Sequence, residues 1–313
     1  MAAITEQGFV LHTVAWRETS LVVELFTRDH GRIAVMAKGA RRPRSALRAV
    51  LLQFQPIDVA FSGRNELKTL IRAEWRAGVP LPQGRALLIG FYLNELLMRL
   101  LAREDPHPRL YDGYVAALEA FDVGRGSAAP GVQREDEPAT GDPPAAEDLA
   151  ETMDSAATRD SAATGDSVAT EDSSARGDSP ATGYSPATGA PGRGHPEALH
   201  EPALRRFEWL LLQEIGYAPD LARDRDGRPI DPAGHYRIVA GQWLAVEEPT
   251  SQSSRADVYS GIALRGMADG RYDGPGVLGQ AKRLSRQVLA EHLEGAALST
   301  RRILVDLQRI EQQ

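Results

Sequence analysis

Short runs of alternating apolar and polar residues fill the first 80 positions, and this period of two predicts strands. The runs cover residues 9–14, 21–26, 33–37, 55–61 and 67–73. Ile33, Val35 and Ala37 share one face, as do Ile57, Val59 and Phe61. In the fifth run Leu67, Thr69 and Ile71 share a face, and Lys68 and Arg72 fall on the other. Asp29-His30-Gly31-Arg32 and Ser62-Gly63-Arg64-Asn65 supply turn chemistry between runs. Five short strands in so little chain predict a small closed barrel. The OB fold is the commonest five-stranded choice, with an SH3-like barrel as the alternative.

From residue 81 the period becomes helical. Residues 86–102 and 108–121 read as two helices. The stretch 86–101 is the most apolar of the chain, but Asn94, Glu95 and Arg99 interrupt it, so it reads as a buried helix and not as a membrane span. Residues 1–8 lack the basic-then-apolar order of a signal peptide. Further on, Pro202 stands where a helix would start; Leu204, Phe207, Leu211 and Ile215 form its buried stripe and Gly216 its end. A stretch rich in Gly, Pro and Asp follows, irregular or in short strands to about residue 248. Val277, Ala281, Leu284 and Val288 mark another amphipathic helix, and Ser299 is the expected N-cap of a last one carrying Ile303, Leu307 and Ile310. Each stripe needs a partner, so these helices are expected to form one bundle.

Between the two helical stretches lies a segment of a different kind. Six-residue repeats begin at Asp154, Asp160, Asp166, Asp172, Asp178 and Tyr184. The surrounding residues are mostly Ala, Gly, Ser, Thr, Pro and Asp, with too little apolar area to offset the entropy of ordering, so the segment is expected to be disordered. No large apolar residue recurs in register, which leaves a solenoid nothing to stack. The fold class read from the chain is therefore α+β multidomain: an OB-fold barrel over 1–80, first helices over 81–123, a disordered acidic insert over 124–201, and the rest of the helical domain over 202–313.

Charge sharpens this division. The whole chain carries a formal net charge of −7. Residues 122–202 hold 16 acidic against 5 basic side chains, whereas residues 1–80 hold 12 basic against 7 acidic. The folded part is thus mildly basic. Its densest cationic run is Lys38-Gly39-Ala40-Arg41-Arg42-Pro43-Arg44, with Arg48 just beyond. It follows a predicted strand and contains Gly and Pro, so it reads as a basic loop on a barrel rim. With Lys68 and Arg72 on the adjoining strand face, it forms a candidate phosphate-binding surface. A solvated loop without a ligand is the plain alternative. Phe9, Trp16, Phe54 and Phe61 are candidates for stacking on bases, although the core is the expected place for any one of them. A second cationic set comprises Arg205, Arg206, Lys282, Arg283, Arg286, Arg301 and Arg302. Arg205, Arg206, Arg301 and Arg302 are expected in the first turns of helices, where a cation opposes the dipole and a partner anion, nucleic acid or an acidic peptide, would relieve it; local pairing with Glu294 or Asp306 is the alternative.

Candidate chemistry is otherwise sparse. There is no cysteine, so thiolate metal sites and disulfides are excluded. The seven histidines are scattered, with no metal-binding helix spacing. Asp224, Asp226, Asp231 and His235 read as a turn. No phosphate-binding glycine loop and no nucleophile motif is present. The reading is a binding protein without cofactor or metal, and not an enzyme.

The order of motifs resembles the RecO family of recombination mediators. Phe9-Val10-Leu11-His12, Trp16, Glu18-Thr19-Ser20-Leu21, Phe26-Thr27, Gly31-Arg32 and Lys38-Gly39-Ala40-Arg41 carry the likeness. Gly63-Arg64, Glu66-Leu67-Lys68-Thr69-Leu70, Tyr92-Leu93-Asn94-Glu95-Leu96-Leu97, Arg205-Arg206-Phe207-Glu208 and Ile215-Gly216-Tyr217 continue it. The resemblance implies an OB fold followed by a helical domain. It implies binding of single- and double-stranded DNA, annealing of complementary strands, partnership with RecR and with the acidic C-terminal tail of single-stranded DNA-binding protein, and indirect help in loading RecA. It also implies a cytoplasmic, nucleoid-associated place in a bacterium. Lys38, Arg41, Arg42 and Arg44 match the basic loop of the family's barrel. One departure concerns zinc: many members carry four cysteines after the Gly-Tyr pair, and here Arg223 and Asp226 stand near the first two positions. An RNA-binding OB module and an adaptor for acidic protein segments are the rival functions.

Overall fold

A computed structural model describes residues 3–121, 196–247, 257–293, 298–300 and 303. Nearly all of the predicted insert, all of its repeats, Arg301, Arg302, Leu307 and Ile310 lie outside the described residues.

All five predicted strands form: β1 (Ile4–Trp16), β2 (Ser20–Thr27), β3 (Gly31–Ala37), β4 (Pro56–Ser62) and β5 (Leu67–Trp75). They close into a barrel in the order β1-β2-β3-β5-β4, antiparallel throughout except for the parallel β3–β5 pair. A short α1 (Leu47–Val50) sits between β3 and β4. This is the OB arrangement, and it settles the choice against an SH3-like barrel. Val10, Val23, Leu25, Ile33, Val35, Ile57, Val59, Phe61 and Leu70 fill the interior. β1 is longer than its apolar run because two partners share it. Ile4 to Phe9 pair with β4, and Gly8 to Trp16 with β2. A bulge between Val10 and His12 bends the strand from one partner to the other.

β5 reverses the predicted faces. Leu67 and Ile71 face solvent, while Lys68 and Leu70 are buried. Alternation alone does not say which face is inside, and a register shift between Ala60 and Phe61 breaks it partway along the β4–β5 ladder. Lys68 is tolerated inside because its Nζ reaches Glu104 Oε1 at 2.8 Å.

The helical part contains α2 (Arg85–Leu100), α3 (Pro108–Ala120), α4 (Pro196–Glu214), α5 (Gly261–Ala268) and α6 (Val277–His292). α4 starts six residues before Pro202, so it takes in residues 196–201 that the composition assigned to the insert. Tertiary partners hold these extra turns. The His200 ring meets Phe121 edge-on at 5.6 Å, and Glu201 pairs with Lys282 at 2.8 Å and Arg205 at 3.4 Å. Gly216 ends the helix in a left-handed conformation, with the Tyr217 N–H donating to Leu212 O at 2.8 Å. α5 was not foreseen; the Ser260 hydroxyl caps it by accepting from the Ala263 N–H.

Residues 217–260 contain a small sheet in the order β7-β6-β8, built from β6 (His235–Val239), β7 (Gln242–Val246) and β8 (Tyr259–Ser260). Trp243 and Tyr259 meet edge-to-face at 5.5 Å, and Leu221, Ile230 and Tyr236 are buried in the same core. Asp224 forms the expected turn, its Oδ1 accepting from the Asp226 and Arg228 N–H groups. The region where the resemblance would place zinc thus closes over aromatic packing. Its residues do not fit a thiolate site, since cysteine is lacking.

Barrel and helices share one core. Phe9 and Phe26, on the outside of the barrel, pack against Tyr111 and Tyr114 of α3, and Phe54 packs against Phe91 of α2. The bulge frees the Leu11 carbonyl, which accepts from Asn94 Nδ2 at 3.1 Å and Gln53 Nε2 at 2.5 Å. Asn94 Oδ1 in turn accepts from the Tyr114 hydroxyl at 2.6 Å. The segment after α2 clamps the barrel end: Arg103 pairs with Glu24 and Glu66, and the Glu104 N–H donates to Arg32 O at 2.9 Å.

Two outcomes follow for stability. Gly31 has φ +64°, and a Cβ there would lie 1.9 Å from the Asp105 carbonyl oxygen. Gly31→Ala should therefore cost on the order of 3 kcal/mol by urea unfolding, since neither backbone can yield alone. Glu95 on α2 accepts from the Ser299 N–H and from the Thr300 N–H and hydroxyl. Burial opposes its charge, but these bonds and Arg99 outweigh it and hold the carboxyl below its ordinary value of 4.5. A lowered carboxyl stabilises the fold above the unfolded value and loses that contribution as pH falls through the folded one. The melting-temperature gap between the native chain and Glu95→Gln should be full at pH 7 and shrink below pH 4.5.

Candidate nucleic-acid interface

The outer face of the β1–β2–β3 sheet is covered in steps. Outside the barrel, Phe9 and Phe26 are opposite each other in the ladder and lie under α3. The next row, His12, Glu24 and Ala34, meets the segment after α2 through Glu24. Beyond it Val14, Val22 and Met36 form a third row. No described element lies over Val14, which is 50% exposed, and Val22 and Met36 are half-buried. Trp16 projects from the same face two residues on, 43% exposed.

The basic loop leaves β3 beside this open end. Gly39 turns it with φ +72°, and Ala40 is buried in the barrel core. The Arg41 N–H donates to Thr19 O at 2.9 Å, and its guanidinium donates to Arg17 O at 3.0 Å. Turns from Gly39 to Arg42 and from Arg42 to Ser45 carry the chain into α1. The loop is thereby tied to the β1–β2 turn at its root. Lys38, Arg41, Arg42, Arg44 and Arg48 are all exposed, and none of the five forms an ion pair with another described residue. A held backbone with exposed cationic heads that lack carboxylate partners suits phosphate contacts.

The other predicted cations are disposed differently. Lys68 is buried against Glu104 and does not join the exposed surface. Arg72 is exposed beside Glu74 at 3.4 Å. Arg205 departs from its expected place as well. It lies in the middle of α4, not in its first turn, and is buried between Glu201 and Glu208, at 3.4 and 2.5 Å. Burial pushes the Glu208 carboxyl up, against the pull of Arg205 and of the Tyr92 hydroxyl that donates to it at 2.7 Å. Arg206 is exposed, donates to Gly270 O at 3.1 Å and lies 5.8 Å from the Tyr272 ring. Lys282 pairs with Glu201, and Arg283 donates to Val258 O at 2.8 Å over the Tyr259 ring. Arg286 is exposed on α6. The helical cations thus serve the fold more than the surface.

Of the four candidate stacking rings, Phe9 and Phe54 face the helices and Phe61 lies inside the barrel. Only Trp16 stands at the surface. Arg17, Val14, Val22 and Met36 were not among the predicted site residues. The alternation that continues from Val14 to Trp16 was the one signal pointing to them. Among the described residues no three His, Asp or Glu side chains converge as metal ligands, and no helix is long and apolar enough to cross a membrane.

Residues 1–79 match the family model described as Recombination protein O N terminal, and residues 81–131 match Recombination protein O C terminal. DNA repair protein RecO of Aromatoleum aromaticum is 37% identical over 310 residues, covering 97% of this chain and 96% of that one. DNA repair protein RecO of Azoarcus sp. is 36% identical over 304 residues, covering 96% and 95%. That of Ralstonia nicotianae is 37% identical over 305 residues, covering 97% and 85%. With likeness running through the barrel and the helical domain alike, the chain belongs to the RecO family of DNA repair proteins.

Proposed function

We propose that the chain acts in recombinational repair as a DNA-binding mediator that anneals complementary strands and catalyses no covalent step. The observation that carries this reading is the anchored loop with five exposed cations and no ion-pair partner among the described residues. Such a loop holds phosphates with little regard to sequence, so single- and double-stranded DNA are both ligands. Screening the repulsion between two strands brings complements together.

The family likeness supports the partners. RecR and the acidic C-terminal tail of single-stranded DNA-binding protein are the proposed protein ligands, and loading of RecA on coated single strands is the proposed outcome. The tail is assigned to the helical domain, where Arg206 and Arg286 face solvent. No cofactor or metal enters this mechanism, and the proposed place of action is the bacterial cytoplasm, at the nucleoid.

Each neutralised phosphate contributes about −0.7 to the slope of log affinity against log salt for a single strand. The double variant Arg41→Ala, Arg42→Ala should therefore flatten that slope by about 1.4, weaken binding at low salt, and slow annealing of complementary oligonucleotides. Titration by fluorescence anisotropy at several salt concentrations reads this. An unchanged slope removes the loop from the site, and a preference for RNA over DNA of equal length favours the RNA-binding reading instead.

A further inference from the structure

The four tryptophans divide sharply. Trp209 and Trp243 are core, at 4% and 1% exposure. Trp75 is exposed, but its Nε1 donates to Gln55 Oε1 at 3.0 Å. Trp16 is exposed and its indole meets no ring, cation or hydrogen-bonding group among the described residues. Nothing in the fold explains a ring of this size at that position, since burying it would be favourable and leaving it bare contributes nothing. Its surroundings are one-sided. Across the ladder it faces Ser20, and Val14 precedes it on the same face with Val22 and Met36 alongside. The next residue is Arg17, whose carbonyl holds the Arg41 guanidinium. A flat apolar surface therefore stands at the root of the cationic loop.

We infer that Trp16, backed by Val14, Val22 and Met36, is a stacking platform for an unpaired nucleic-acid base. The inference rests on the reading of the loop as a phosphate site. Charge complementarity orients the occupant: a strand whose phosphates lie on Lys38, Arg41, Arg42 and Arg44 can turn its bases toward the sheet. A duplex cannot do this, because its bases are already stacked on one another and only its phosphates reach the loop. The loop thus binds both forms, and Trp16 adds affinity for the single strand alone. Stacking uses the face of the base and leaves its pairing edge open. A complementary strand can pair with a base held this way, and the new duplex then prefers its own stacking to that of Trp16. The platform holds single strands ready for pairing and lets the paired product go.

The test compares Trp16→Ala with the native chain on three probes: an oligothymidylate, a duplex of equal length, and an oligonucleotide of the same phosphate number with abasic sites. Affinity for the oligothymidylate should fall on the order of tenfold, with Trp16→Phe keeping most of it. Affinity for the duplex, affinity for the abasic strand and the salt slope should all stay unchanged. In a Trp75→Phe background, the oligothymidylate should quench the remaining exposed tryptophan and the duplex should not. Equal losses on single strand and duplex would overturn the inference. So would no loss on the single strand while the Arg41, Arg42 variant weakens both forms, and in that case the loop reading stands. If the Arg41, Arg42 variant loses nothing, the loop reading fails and the platform falls with it.

Discussion

The Leu11 carbonyl is pushed out of the β-ladder by a bulge, and Asn94 and Gln53 both donate to it. An unmet carbonyl there would cost about 1–3 kcal/mol, so strand and helix are tied at that point. The same bulge has two further consequences. It turns β1 away from β4, so that residues 12–15 run on in a sheet with β2 and β3. It also shifts the alternation, so that His12, Val14 and Trp16 share the outer face with Phe9 and Leu11, which α2 and α3 cover. The outer sheet face is therefore divided between a half that belongs to the helical domain and a half that stays open.

Charge is managed by the same economy. Buried cations are matched to carboxylates one by one: Lys68 with Glu104, and Arg205 with Glu201 and Glu208. Breaking one partner of such a pair leaves a stranded charge, which makes these residues structural. Arg103 bridges Glu24 and Glu66 and spends its charge on the junction of barrel and helices. On the barrel, the densest exposed cations without a carboxylate partner among the described residues lie on the loop after β3, which is anchored where the Arg41 N–H donates to Thr19 O and its guanidinium to Arg17 O. An anchored backbone with several exposed cations suits a ligand recognised by its repeating phosphates rather than by one fixed geometry.

Much of this was legible in the chain. The five strands, the closed barrel, both helices after it and the Gly216 stop all follow from local period and turn chemistry, and the structure has them. The basic loop was legible because seven consecutive residues carry it. What the sequence hid depends on contacts between distant residues. Lys68 lies inside because Glu104, 36 positions on, accepts its charge. α4 begins before Pro202 because Phe121 and Lys282 hold its first turns. Trp16 could not be told from Phe9, Phe54 and Phe61 until the helices claimed two of the rings and the barrel the third. The acidic repeats, prominent in the sequence, fall outside the described residues.

Backbone amide hydrogen exchange, recorded at low salt with and without an oligothymidylate, tests the location of the site most directly. Exchange should slow in residues 14–22 and 36–48, at the open end of the barrel and the loop beside it, with α2 and α3 unchanged. Slowing confined to α4 and α6, with the barrel end unaffected, would contradict this and move the nucleic-acid surface to the helical domain.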